Sequence, residues 1–435
     1  MAGGDGPEAP AGGARVVLFP LPFQGHISPM LQLAGALHAR GLAVTVLHTA
    51  FNAPDPARHP AFTFIAVPDA IPEAVAATNN GLAELLALNA AMEASGRVHD
   101  ALALLLADEE EPRLACLIFD STLTAVHKAA AGLGLPTLVL HTSSAACFLM
   151  ARSYDMLLDK GYLPSTESNL HMPIKELPPL QVRDLKLPNE EIGKKILNLA
   201  TETTANSSGA IFNTFEALES HELEMIRDEL AHNGIPPFAV GPLHKLTRSN
   251  RNGAEASLLN QDRGCIEWLD TQAPGSVLYV SFGSVVHVTR DEFMETAWGL
   301  ANSGKPFLWV VRHGLVLVVE KQELPEGFDL AVEGRGKVIE WALQREVLAH
   351  PAVGAFWTHN GTPRWRVSMR GCLCCRGLSL EINCQPEERG EVEKAIKRLL
   401  EEDEGVEIRE RAKVLEKMRT CLESTGSSQQ AVDKL

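Results

Sequence analysis

The chain has 435 residues, 45% of them hydrophobic and 22% charged, with 34 Gly and 26 Pro; this is globular composition, long enough for two or three domains with sizeable cores. Its formal net charge of −16 argues against a nucleic-acid partner, which would call for a basic face. No run reaches the roughly 18 uncharged apolar residues that span a bilayer, so a cytoplasmic protein without a membrane partner is expected.

The opening "MAGGDGPEAPAGGA", residues 1–14, carries Asp5 and Glu8 but neither a basic start nor an apolar core. It reads as a disordered lead-in rather than a secretory signal. "RVVLFPLP" (Arg15 to Pro22) is short and apolar, as a strand buried on both faces requires. "SPMLQLAGALHAR" follows with helical spacing, Ser28 and Pro29 reading as cap and first helical position. "GLAVTVLHT" is a second strand, so the three form a βαβ unit and imply a parallel sheet. The alternation continues through "LACLIFD", "PTLVLHT" and "GAIFNTFEALE", which gives a first domain over 15–235. Residues 236–261 are turn-rich and polar and read as a linker. A second series then runs over 262–435 through "SVLYVSFGS", "PFLWVVR", "GKVIEW" and "VGAFWTH". The expected fold is α/β, two doubly wound Rossmann-like domains facing a cleft, with ligands at the carboxyl ends of the strands.

Several residues sit at such strand ends. His26, in "PFQGHISP", follows the first strand, with Phe23, Gln24 and Gly25 beside it; Gly25 leaves space next to the imidazole. Asp120 ends another strand, where it either caps the next helix or orients a histidine. Thr142, Ser143 and Ser144 offer hydroxyls to the cleft or caps to a helix. Gly283 and Ser284 end a strand of the second domain where a nucleotide phosphate could dock. "GLGLPT" and "GRGKVI" both fail the dinucleotide fingerprint, which disfavours a nicotinamide oxidoreductase.

Together "PFQGHISPMLQLAGAL", "FNTFEALE", "PFAVGPL", "VLYVSFGSV", "LANSGKPFLWVVR" and "WALQREVLAHPAVGAFWTHNG" resemble the plant UDP-dependent glycosyltransferases. The wording is similar to the branch that holds the benzoxazinoid and other small-molecule glucosyltransferases of grasses. The resemblance implies the GT-B fold and an inverting transfer of glucose from UDP-glucose to a small aromatic or hydroxamate-type acceptor, by a monomer without cofactor or metal. His26 matches the family's general base and Asp120 its charge partner. Trp341 would stack on the uracil, Gln344 would meet the ribose, and His359, followed by Asn360 and Gly361, would contact the diphosphate. Ser284 and Thr142 would lie near the phosphates and the sugar, and Phe23, Gln24 and Gly25 would border the acceptor.

The resemblance breaks after Gly361. There the family continues Trp-Asn-Ser-Thr-Leu-Glu, which opens a helix holding the diphosphate, whereas this chain has Thr362-Pro363-Arg364-Trp365-Arg366. Asn-Ser-Thr-Leu-Glu written AAC TCC ACG CTG GAG, followed by A, gives Thr-Pro-Arg-Trp-Arg when its first base is dropped. Loss of TGGA after the Gly361 codon produces this junction. The family's Glu-Gly-Val-Pro-Met-Leu-Cys, written GAG GGG GTG CCT ATG CTG TGT and read one base late, gives Arg-Gly-Cys-Leu-Cys-Cys, the text of Arg370 to Cys375. Residues 362–376 therefore read as a frameshift, either real in the gene or introduced by sequencing or gene prediction. The crowding of Cys372, Cys374 and Cys375 follows from it, and their C-x-C-C spacing does not fit a zinc site. The second domain is expected to be incomplete, with the sugar-gripping Asp-Gln pair lost, since no Asp-Gln dipeptide follows Gly361. Three readings follow: a transferase with a compromised donor site, a non-catalytic small-molecule binder, or a faulty translation of an intact gene.

Overall fold

The computed structural model describes residues 13–76, 81–108, 112–166, 168–178, 180–185, 190–246, 261–284, 287–316, 323–358, 365–369, 379–382, 390–401, 421–423 and 425–435. The chain divides into two compact units. The first takes in residues 1–164, 189–258 and 417–435, and the second 165–188 and 259–416. This division departs from the sequence boundaries at two places: 165–188 joins the second unit, and the C-terminal stretch from 417 joins the first.

In the first unit seven strands form one parallel sheet: β1 (Arg15–Phe19), β2 (Ala43–Thr49), β3 (Thr63–Val67), β4 (Leu114–Asp120), β5 (Thr137–His141), β6 (Gly209–Phe212) and β7 (Pro237–Ala239). Their order is β3-β2-β1-β4-β5-β6-β7. The direction of winding reverses between β1 and β4, which pair Phe19 with Phe119; an open α/β sheet binds ligands at such a switch point. Val17, Leu18 and Phe19 are wholly buried, as a central strand covered on both faces demands.

The first helix, α1 (Gln24–His38), starts earlier than the Ser28-Pro29 cap reading, with Phe23 as the extended N-cap residue and Pro29 inside the helix. The chain is wound into helix directly after β1, so His26 sits in the first helical turn. Four more helices matter for the site: α2 (Gly81–Ser95), α3 (Thr124–Gly132), α4 (Ala145–Arg152) and α5 (Glu190–Ala205). α6 (Glu216–Ala231) completes the group. The expected linker from 236 is in part sheet: Pro237 opens the edge strand β7, the sheet position that tolerates a residue without an N–H.

The second unit holds β8 (Val277–Val280), β9 (Phe307–Val310), β10 (Gly336–Ile339), β11 (Val353–Thr358), β12 (Trp365–Met369) and β13 (Ser379–Ile382), in the order β10-β9-β8-β11-β12-β13. β8 to β11 run parallel, but β12 is antiparallel to β11 and β13 antiparallel to β12. Only residues 359–364 connect β11 to β12, and a parallel crossover needs roughly a dozen or more. Helices α7 (Arg290–Asn302), α8 (Gln344–Ala349) and α9 (Glu391–Glu401) flank this sheet, α7 opening on a complete capping box from Thr289 and Glu292. The last helix, α10 (Ser427–Asp433), belongs to the first unit. Val432 enters the core cluster with Leu33 and Leu37, and Ser428 Oγ donates to the Gly241 carbonyl at 2.6 Å.

Candidate active site

β1 and β4 are neighbours, and their carboxyl ends bring His26 and Asp120 together across the switch point. His26 Nδ1 lies 2.7 Å from Asp120 Oδ2. The Asp120 side chain is almost wholly enclosed, while 31% of the His26 side chain remains accessible. Asp120 Oδ1 accepts from the Thr122 backbone N–H at 3.1 Å and from its hydroxyl at 2.8 Å. Asp120 does not cap the next helix, whose N-cap position is held by Leu123; one of its oxygens organises the turn ahead of α3 and the other faces the imidazole.

The electrostatics follow from this arrangement. Burial opposes charge on His26, but the field of the Asp120 carboxylate and its hydrogen bond outweigh that, and the His26 pKa is raised. Burial would push Asp120 upward, yet His26 and the two Thr122 donors outweigh it and the pKa falls. With Nδ1–H donating to an ionised Asp120, the Nε2 lone pair is left to accept a proton. A pair in this arrangement can take a proton from a hydroxyl and stabilise the imidazolium that results.

Thr142 Oγ1 is 3.1 Å from His26 Nδ1, so it joins the same pair. Ser144 is the cap of α4, accepting from the Cys147 N–H. The N–H groups of Ala145 and Ala146 donate to the two carboxylate oxygens of Glu219, at 3.0 and 3.1 Å. This helix start is thus satisfied from within the protein, and Glu219 is a buried carboxylate that no sequence signal singled out. Phe23 packs edge to face on Phe51 with ring centres 6.1 Å apart. Gln24 donates to the Ser28 hydroxyl at 2.7 Å. A Cβ at Gly25 would meet nothing within 4 Å, so the space beside the imidazole is open.

The remaining residues lie in the second unit. Gly283 has φ +75°, a left-handed bend that suits glycine, and it hands the chain on to an exposed Ser284. Arg312, itself buried, donates from Nε to the Gly283 carbonyl at 3.0 Å. Its burial pushes the guanidinium pKa down. Arg312 closes the apolar run "PFLWVVR", and a charge ending a buried strand is the signal that could have singled it out. Trp341 is only 8% exposed and packs among Cys265, Ile339, Leu343 and Val347, the surroundings of a core aromatic. Gln344 opens α8 and is half-buried. Leu343 is fully buried. His359, Asn360 and Gly361 lie outside the described residues, as do Cys372, Cys374 and Cys375. A cavity of about 680 Å³ borders α7, and none of these site residues lines it.

The family model described as "UDP-glucoronosyl and UDP-glucosyl transferase" matches residues 242–364. A DIMBOA UDP-glucosyltransferase of Zea mays, BX9, is 43% identical over 92% of this chain and 90% of its own length. A second one, BX8, is 42% identical over 91% and 92%. The chain belongs to the plant UDP-glycosyltransferases. Among solved structures, Os79 from O. sativa in complex with UDP superimposes with a TM-score of 0.75 at 24% identity, covering 96% of this chain and 98% of that one. The two parallel-wound units are those of a GT-B glycosyltransferase, and this glycosyltransferase keeps its His–Asp pair assembled in the first of them. Among its described residues no helix is long and apolar enough to cross a membrane.

Proposed function

We propose that this glycosyltransferase is built to pass glucose from UDP-glucose to the hydroxyl of a small aromatic or hydroxamate-type acceptor, with inversion. His26 acts as base through Nε2 and Asp120 as its partner. The 2.7 Å contact between His26 and Asp120 carries this reading. An acceptor hydroxyl must lose its proton as it attacks the sugar C1, and an imidazole backed by a carboxylate removes it near neutral pH. UDP departs as a stable anion, so no acid, metal or cofactor enters the proposal. Phe23, Gln24 and Gly25 border the acceptor, and Thr142, beside the imidazole, reaches toward the sugar. Ser284, Trp341, Gln344, His359, Asn360 and Gly361 are the donor-side residues, with Trp341 using its remaining exposed surface against the uracil. The likeness to the two maize DIMBOA glucosyltransferases supports a benzoxazinoid-like acceptor. A cytoplasmic monomer is part of the same proposal.

The chain as written turns over little or not at all, because residues 362–376 are read out of frame. Three observations support this. The family match ends at residue 364. The codon arithmetic recovers residues 362–366 and 370–375, the first set including the opening two residues of the strand Trp365–Met369. That strand runs antiparallel to β11 where the family resemblance calls for a diphosphate-binding helix. Incubation with labelled UDP-glucose and a panel of phenols and hydroxamates is expected to give negligible glucoside. Product that disappears in His26→Ala would contradict the damage while upholding the base. Acceptor binding by calorimetry without turnover would mark a small-molecule binder. A resequenced transcript that restores Trp-Asn-Ser-Thr-Leu-Glu would place the fault in the sequence record instead.

A further inference from the structure

The turn that carries Thr122 is gripped from two other helices. From α2, Asn89 Nδ2 donates to the carbonyls of Thr122 and Leu85, each at 3.1 Å. Its Oδ1 accepts from the Thr124 hydroxyl at 3.2 Å and from the Ala125 N–H at 3.1 Å. Both donors and both lone pairs of the amide are therefore used, and the side chain is only 7% exposed. α3 has Leu123 at its N-cap position, a residue whose own side chain cannot cap it. Asn89 supplies that cap from outside and ties it to the turn in the same step. From α5, Thr203 Oγ1 donates to the Ser121 carbonyl at 2.6 Å, and Thr203 is likewise buried.

We propose that Asn89, together with Thr203, is a positioning residue for the His26–Asp120 pair. The chain of contacts is continuous: Asn89 and Thr203 fix residues 121–125, Thr122 fixes Asp120 Oδ1, and Asp120 Oδ2 fixes the imidazole. Neither brace touches substrate or the reacting atoms. A hydrogen bond of 2.7 Å to a buried carboxylate is sensitive to small displacements of the turn, and displacements near 1 Å already degrade catalytic geometry. Removing either brace frees a carbonyl in the turn and lets the Asp120 carboxylate drift from the ring.

This rests on the dyad reading, and the test separates the two. The His26 ring is titrated by NMR in the full chain, assigned with His26→Gln, with the exposed His232 as reference. Asp120→Asn is expected to lower the His26 midpoint; an unmoved midpoint there overturns the dyad and the braces together. Asn89→Ala and Thr203→Val are expected to shift His26 in the same direction while His232 stays in place. If Asp120→Asn moves His26 but both folded brace variants leave it unmoved, the positioning role alone is overturned. Should Asn89→Ala fail to fold, Thr203→Val decides, since it keeps the side-chain shape and removes only the hydroxyl. A merely structural role would change the unfolding midpoint and leave the His26 titration where it is.

Discussion

At the scale of single residues, His26 and His141 are pushed in opposite directions by the same sheet. Asp120 raises the His26 pKa. A base must be neutral to act, so transfer by a frame-restored chain should rise with pH through that elevated value and lie flat above it, measured as kcat/KM. Asp120→Asn should cost that chain roughly 10²–10⁴-fold. His141 stacks on Phe212 and meets Phe148 edge-on, with Thr204 Oγ1 at 2.9 Å from Nε2. Burial pushes its pKa down to about 4. Its contribution to stability is complete above the unfolded value of about 6.5. It is lost as pH falls toward 4, because the unfolded chain takes up a proton that the native state refuses. The loss is about 3 kcal/mol, read by denaturant unfolding across that window, and His141→Phe should flatten it. His26 works the other way: its contribution is complete below about 6.5 and fades as pH rises through the folded value.

At the scale of elements, the positions of His26 after one strand and Asp120 at the end of another were legible because short apolar runs bounded by turn residues mark buried strands. What holds those residues was not. Asn89, Glu219 and Arg312 act through hydrogen bonds to chain distant in sequence, and no local pattern announces a partner more than 25 residues away. The start of α1 was misplaced because Pro29 suits a first helical turn, while Phe23-Gln24-Gly25 offers no cap signal. β7 was taken for linker because Pro237 within it and Gly241 just past it are turn punctuation. In the structure that Gly packs tightly: a Cβ at Gly241 would lie 2.5 Å from the backbone of Asn213 and Thr214. Gly241→Ala should therefore cost about 1–3 kcal/mol in the denaturation of the first unit, where a true linker residue would cost nothing measurable.

For the molecule as a whole, the two units differ in how far their parallel winding runs. The first keeps an unbroken parallel sheet with its His–Asp pair at the switch point. In the second, the parallel winding stops at β11 and gives way to an antiparallel pair of strands. The family's fold and chemistry were legible because the motifs on either side of the break survive. The proposed reading-frame slip is legible only at the level of codons, since the amino acids of residues 362–376 share no wording with the family motif they would replace. The most direct test sets the chain as written beside one restored at the nucleotide level to Trp-Asn-Ser-Thr-Leu-Glu and the following βα unit. UDP affinity and glucosyl transfer to a hydroxamate acceptor are measured on both. The restored chain should bind UDP and form glucoside that His26→Ala abolishes, and the chain as written should do neither. Equal UDP affinity and equal transfer by the two chains would contradict the account.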